Sequence, residues 1–218
     1  MHPIRLLVAE SDITKMQVDT IVNSANAARI GRGGLNETIY RAAGPRLLRA
    51  TQALRGQPVG TVKLTLGYQL PARHIIHVIV PDAEDDMAQQ ERLLAMCYRR
   101  CLSLASLRRF RTLVFPVLGS GERGFSFRRA ATIALTEIQR HLESDTVLRH
   151  VVVTVYDSRG SDLSILSKEL LGYYMEEGWE LDGSIHLGST WLNRRYGRVY
   201  WWKIASERAS VGGVSNRS

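Results

Sequence analysis

The chain has 218 residues, 44% of them hydrophobic and 23% charged, and a formal net charge of +8. That is the size of one generous domain, or of one domain with an appended piece, and the composition of an ordinary soluble globular protein with a proper core. The N-terminal MHPIRLLVAES is too short in apolar residues for a secretion signal, and no later stretch approaches the roughly 20 apolar residues of a membrane span, so no membrane partner and a reducing, cytoplasmic setting are expected.

In chain order, β-branched apolar runs recur at 4–9 (IRLLVA), 18–23 (VDTIVN), 62–68 (VKLTLGY), 74–80 (HIIHVIV), 112–118 (TLVFPVL) and 150–156 (HVVVTVY). Several are apolar throughout, as strands covered on both faces are. Between them helices are predicted over 36–55, 87–109 and 127–143, with a further one over 162–177 after DSRGSD. Strands alternating with helices imply an α/β layered domain with a mixed, largely parallel sheet, filling about residues 1–175.

From Gly178 the character changes. GWELDGSIHLG and RVYWWKIA read as two strands joined by a polar turn around Asn193–Gly197, and this segment carries all four tryptophans. A lone hairpin is marginal in water, so residues 176–205 must pack on the main domain, on the preceding helix or on another subunit, and are a candidate dimerisation edge. Residues 206–218 read as a flexible tail. Cys97 and Cys101 lie at helical spacing and are read as packing residues, and the six histidines form no ligand-like cluster, so no metal and no cofactor are expected.

The basic excess lies in the first part: residues 161–218 carry seven Lys/Arg and seven Asp/Glu, leaving 22 basic and 14 acidic residues on 1–160. Such an excess suits a polyanion, an anionic ligand or simple solubility. Two glycine-rich stretches, RIGRGGL (29–35) and GSGERGFS (119–126), each follow a strand and precede a helix, with Asn36 and Ser126 placed as N-caps. In an open α/β sheet such loops lie at the carboxyl ends of strands, where glycine lets N–H groups converge on an anion and the helix dipole adds partial positive charge. Neither stretch matches GxxxxGK[ST], and neither gives GxGxxG at the first strand-to-helix turn. Alone, these glycines are equally well turn residues.

SDITKMQVDTIVNSANAARIGRGGLNETIYRAAGP, with GYQLPARHIIHVIVP and FPVLGSGERGFSFRRAATIAL following in order, closely resembles the macrodomain family, which binds ADP-ribose. The resemblance covers about residues 3–160 and implies a three-layer α/β/α fold with a mixed sheet. It makes Asp12 the acceptor of the adenine amine, beside the Ile13 backbone; a carboxylate only accepts, so it selects a base edge that donates. Read without the family, Asp12 is an Asp capping a short turn before Thr14, the less favoured reading. The resemblance places Asn23 and Asn26 at the end of the second strand, with Asn26 on the distal ribose. Gly33 and Gly34 then approach the distal phosphate and ribose by backbone, while Ser120, Gly121, Glu122, Arg123, Gly124 and Phe125 form the pyrophosphate wall. Tyr156 and Asp157 fall where the family lines the adenosine pocket, Tyr156 being core or a stacking face.

Hydrolytic macrodomains often carry an acidic residue after the glycine loop, in a GGGGVDGAIH-like string. Here the string is GRGGLNETIY, with Asn36 in place of the Asp and Tyr40 in place of the His. An amide orients a water but is no general base. Glu37 follows directly, but points about 100° away on a helix and is not expected to substitute. Arg32 and Arg123 also depart from the family pattern, and either pair with a phosphate or acidic group or face solvent. Since some family members without that Asp still hydrolyse ADP-ribosyl esters, the resemblance implies an ADP-ribose-binding hydrolase acting on ADP-ribosyl or O-acetyl-ADP-ribose linkages, with Asn26 and Asn36 as catalytic positions. The alternatives are a non-catalytic reader of ADP-ribosylated proteins and, less favoured, a nucleic-acid-binding module.

Overall fold

The computed structural model describes residues 6–26, 28, 31–83, 86–121, 123–155, 186–187 and 198–201. The strands are β1 Leu6–Glu10, β2 Thr20–Ala25, β3 Val62–Leu66, β4 His74–Ile79, β5 Thr112–Pro116, β6 His150–Val155, β7 His186–Leu187 and β8 Arg198–Trp201. The helices are α1 Gly34–Ala43, α2 Pro45–Thr51, α3 Met87–Leu107 and α4 Phe127–Ser144, with short 3-10 turns at Ile13–Lys15 and Gln52–Leu54. The stretch predicted as one helix over 36–55 is therefore two. Gly44 takes φ 81, a left-handed conformation that glycine enters at little cost, and Pro45 starts a helix readily but cannot continue one.

The eight strands among the described residues join one sheet in the order β3-β4-β2-β5-β6-β1-β8-β7. The pairs β1 with β6, β6 with β5, β5 with β2 and β2 with β4 are parallel, while β3 is antiparallel to β4 and β8 to β1. Alternate residues of the central strands enter two cores, as a period of two requires. Val8, Val22, Ile76, Phe115 and Val153 pack under α3 and α4, whereas Leu7, Ile21, Ile75, Val114 and Val152 pack under α1 and α2. Burial on both faces explains why these strands read as unbroken apolar runs.

The C-terminal strands dock on the main domain through the backbone: β8 extends the β1 edge, Val8 opposite Tyr200, and β7 pairs with β8 beyond it. The helix predicted over 162–177 and the turn at 193–197 lie outside the described residues. Cys97 and Cys101 are buried within α3 and unbonded to each other, and burial pushes the Cys97 thiol up to about 12. They serve packing, and such thiols are unreactive.

Candidate functional site

Because β1, β2, β4, β5 and β6 run the same way, their carboxyl ends share one rim. β2 and β5 are neighbours, Ile21 opposite Val114. From β2 the chain leaves to α1 on one face of the sheet, and from β5 it leaves to α4 on the other. Where adjacent connections part in this way, the rim opens into a crevice that takes ligands. Both glycine-rich loops flank it.

On the same rim, at the end of β1 beyond β6, Asp12 does cap a turn. Its Oδ1 accepts from the Thr14 backbone N–H at 2.9 Å and from the Thr14 hydroxyl at 2.7 Å. No bond to Oδ2 is formed among the described residues, so capping leaves one acceptor at the rim. Ile13 is buried and presents only backbone there.

The first loop begins at Asn26, whose Oδ1 accepts from the Ala28 N–H at 2.8 Å. It closes over Tyr40: Gly31 has φ 74, and a Cβ there would lie 2.9 Å from Tyr40 Cδ1. The Tyr40 hydroxyl donates to Thr51 Oγ1 at 2.7 Å, which fixes the ring. Gly33, at φ 81, is the N-cap of α1, and Gly34 follows at φ 50. The predicted cap at Asn36 is thus corrected: the helix starts earlier, because a glycine at that φ lets the chain turn straight into it. Asn36 sits in the first turn, buried, with Oδ1 accepting from Asn23 Nδ2 at 2.9 Å and Nδ2 donating to the Arg32 carbonyl at 3.2 Å. Asn23 is itself completely buried and faces inward, serving the loop from behind. Glu37 has a role the sequence did not suggest: its Oε2 accepts from the Gly33 N–H at 3.2 Å. A carboxylate thereby occupies one amide at the helix N-terminus, while the N–H groups of Gly34 and Leu35 have no partner among the described residues.

The second loop is anchored from below by Phe125, which is buried. Its ring fills the space under Gly119, where a Cβ would come within 2.9 Å of Phe125 Cδ2 at φ 85. The turn is closed by Phe125 N–H to the Gly119 carbonyl at 3.3 Å and Gly124 N–H to the Gly121 carbonyl at 3.3 Å. Ser120 Oγ donates to the Val117 carbonyl at 2.8 Å. The amides of Gly121 and Arg123 keep no partner among the described residues. Gly121 differs from Gly119 and Gly124, the other described glycines of its loop: its φ is ordinary, and a Cβ there meets nothing within 4 Å. Nothing in the fold requires glycine at that place.

Arg123 neither faces solvent nor points freely into the crevice. Its Nη1 lies 2.6 Å from Asp82 Oδ1, and its carbonyl accepts from Ala83 N–H at 2.6 Å. Ser126 caps α4, accepting from Arg129 N–H at 3.3 Å. Glu122, Tyr156 and Asp157 lie outside the described residues.

Sequence reasoning missed His77. It stands in the middle of β4, fully buried, with Nδ1 3.1 Å from Asn23 Nδ2 and Nε2 3.0 Å from Thr65 Oγ1. Burial, and then the nearby Lys63 charge, push its pKa down to about 3, so the ring is neutral. The one available signal was a polar residue inside an apolar strand. Among the described residues, no group of three or more His, Cys, Asp or Glu is placed to hold a metal ion.

The Macro domain family profile matches residues 22–134, from inside β2 through the first loop and the second to α4. The chain belongs to the macrodomain family. A Macro domain-containing protein of Methanosarcina mazei is 41% identical over 168 residues, covering 76% of this chain and 90% of that one. An ADP-ribose glycohydrolase, MACROD2 of Xenopus laevis, is 35% identical over 175 residues, covering 78% of this chain and 40% of that one. Among solved structures, the Oceanobacillus iheyensis macrodomain with ADP has a TM-score of 0.68 at 37% identity, covering 79% of this chain and 92% of that one. A Trypanosoma brucei macrodomain in complex with ADP-ribose has a TM-score of 0.66 at 31% identity, covering 80% and 69%. The macrodomain architecture expected from the motifs is the one found, with the C-terminal strand pair added at the β1 edge.

Proposed function

We propose that this macrodomain binds ADP-ribose across the rim between β2 and β5 and removes it from ADP-ribosylated proteins or from its acylated form. The observation that carries the binding reading is the pairing of two glycine loops on one rim, with amides at Gly34, Leu35, Gly121 and Arg123 that have no partner among the described residues. Such amides, at a helix N-terminus and in a tight turn, suit a pyrophosphate. Gly121 supports the same reading, since its freedom from steric demand is what a close ligand approach would leave behind. Asp12 Oδ2 serves the adenine amine, and Asn26 the distal ribose.

Hydrolysis in this reading depends on placement. A water attacks the carbon that bears the scissile oxygen, that C–O bond breaks, and the water's proton passes to the leaving oxygen or to a phosphate oxygen. No general base is needed if the clamp holds water and ribose in line. The glycohydrolase among the relatives supports this step. A non-catalytic reader is the second reading, favoured by one observation: the amide of Asn36 is already bonded to Asn23 and to the Arg32 carbonyl.

The test is a de-ADP-ribosylation assay on an ester-linked substrate, run with the wild-type chain and with Gly121→Glu. Release of ADP-ribose by the wild type alone supports the hydrolase. Tight ADP-ribose binding without release selects the reader, and equal release by both proteins excludes this site.

A further inference from the structure

Behind the first glycine loop a chain of hydrogen bonds runs through the core to β3. The Arg32 carbonyl accepts from Asn36 Nδ2 at 3.2 Å, and Asn36 Oδ1 accepts from Asn23 Nδ2 at 2.9 Å. Asn23 Nδ2 also meets His77 Nδ1 at 3.1 Å, His77 Nε2 meets Thr65 Oγ1 at 3.0 Å, and that hydroxyl donates to the Leu66 carbonyl at 3.1 Å. Both ends of the chain are backbone carbonyls, which only accept. This fixes the direction of every bond between them. Asn36 must present its nitrogen to Arg32, so its oxygen faces Asn23. Asn23 must therefore present nitrogen, leaving its Oδ1 buried with no hydrogen-bond partner among the described residues, and His77 must accept at Nδ1 and carry its proton on Nε2.

The reverse polarity is instructive. With both amides turned over and the imidazole proton on Nδ1, Asn23 Oδ1 gains two donors and Thr65 can donate to His77. The one contact that fails outright is Asn36 oxygen against the Arg32 carbonyl. The loop carbonyl thus selects the orientation of the chain, and the chain in turn holds the loop.

We infer that Asn36 is the clamp of the first glycine loop, a positioning residue held by Asn23 and His77, and that an amide is required there where related sites carry a carboxylate. A carboxylate at position 36 would still accept from Asn23. Its second oxygen, however, would stand about where Nδ2 now lies, 3.2 Å from the Arg32 carbonyl, and two acceptors cannot share that contact. Asn36→Asp then releases the segment from Arg32 to Gly34 instead of improving the site. What that segment touches rests on the function proposed above, in which it meets the distal ribose; the clamp itself does not.

The experiment therefore has two readouts on the same proteins: wild type, Asn36→Asp and His77→Phe, the last keeping a ring but no acceptor for Asn23. Amide hydrogen exchange in the free protein is expected to be at least about tenfold faster in both variants for Gly33 and Glu37, whose N–H groups are bonded to Glu37 Oε2 and to the Gly33 carbonyl, with β5 and α3 protected as in wild type. Calorimetry is expected to show ADP-ribose affinity falling about tenfold while ADP, which lacks the distal ribose, binds within about twofold of wild type. Unchanged exchange and affinity in Asn36→Asp, or tighter ADP-ribose binding, overturns the clamp. Should His77→Phe not fold, Asn36→Asp decides alone. If the wild type binds neither nucleotide, the proposed function falls, and the exchange rates still decide the clamp.

Discussion

Arg123 Nη1 lies 2.6 Å from Asp82 Oδ1, so the loop after β5 is tied to the loop after β4 by an ion pair whose Arg side chain is only 13% exposed. The Arg123 carbonyl adds a second tie through Ala83 N–H. Together they tie the Gly121–Gly124 turn to the loop after β4. Arg123→Ala is expected to lower ADP-ribose affinity about fivefold, in keeping with a partly exposed pair worth about 1 kcal/mol. The melting temperature of the free protein should fall by no more than about 2–4 °C. Calorimetric titration checks this, and an unchanged affinity would show that the tie does not shape the site.

Glu37 gives a prediction of the opposite sign. Its carboxylate occupies the Gly33 N–H, an amide that the anionic ligand would use. Glu37→Gln keeps an acceptor for the helix cap but removes the negative charge beside the pyrophosphate. ADP-ribose should bind roughly threefold to tenfold tighter, most visibly at low salt. Equal affinity across a salt series would place Glu37 out of reach of the ligand.

Two glycines of the second loop should respond differently to alanine. Gly119→Ala forces a Cβ against the Phe125 ring at φ 85 and is expected to cost about 1–3 kcal/mol of stability. Gly121→Ala meets nothing within 4 Å and should melt like the wild type. Thermal unfolding of both variants, with ADP-ribose absent and then present, separates a glycine the fold needs from one the ligand needs. A destabilised Gly121→Ala would remove that distinction.

His77 leaves a signature in pH dependence. In the unfolded chain it takes a proton as pH falls through the ordinary value of 6.5, whereas in the fold it does so only near 3. Between those values the unfolded state binds more protons, so this group contributes nothing above pH 6.5 and destabilises on acidification, by about 1.4 kcal/mol per pH unit at the steepest. His77→Gln does not titrate. Its stability relative to wild type should therefore improve steadily from pH 6 to pH 4, as read by urea unfolding at each pH. Parallel curves would contradict a buried neutral imidazole.

Much of the fold could be read from local pattern. The six strand runs, the Ser126 cap and the split between the basic main domain and the Trp-rich end all depend on residues close in sequence. The break at Gly44–Pro45 is marked by only two residues, which helical periodicity on either side outweighs. The site was legible in outline, since the glycine loops mark themselves. What stayed hidden was pairing across distance: Asn36 with Asn23, 13 residues away; Arg123 with Asp82, 41 away; and Asn23 with His77, 54 away. Asn36 read alone is an excellent N-cap, and only the buried partner behind it turns the side chain inward.

The central claim is that open amides on two loops of one rim hold ADP-ribose, and Gly121 is where it meets its simplest test. Gly121→Glu adds a side chain into space that the fold leaves empty and puts negative charge where a pyrophosphate would lie. Calorimetric titration of ADP-ribose into both proteins should give saturable one-to-one binding for the wild type and none for Gly121→Glu, with equal melting temperatures in the free state. Equal binding by the two proteins, or none by either, would contradict the account.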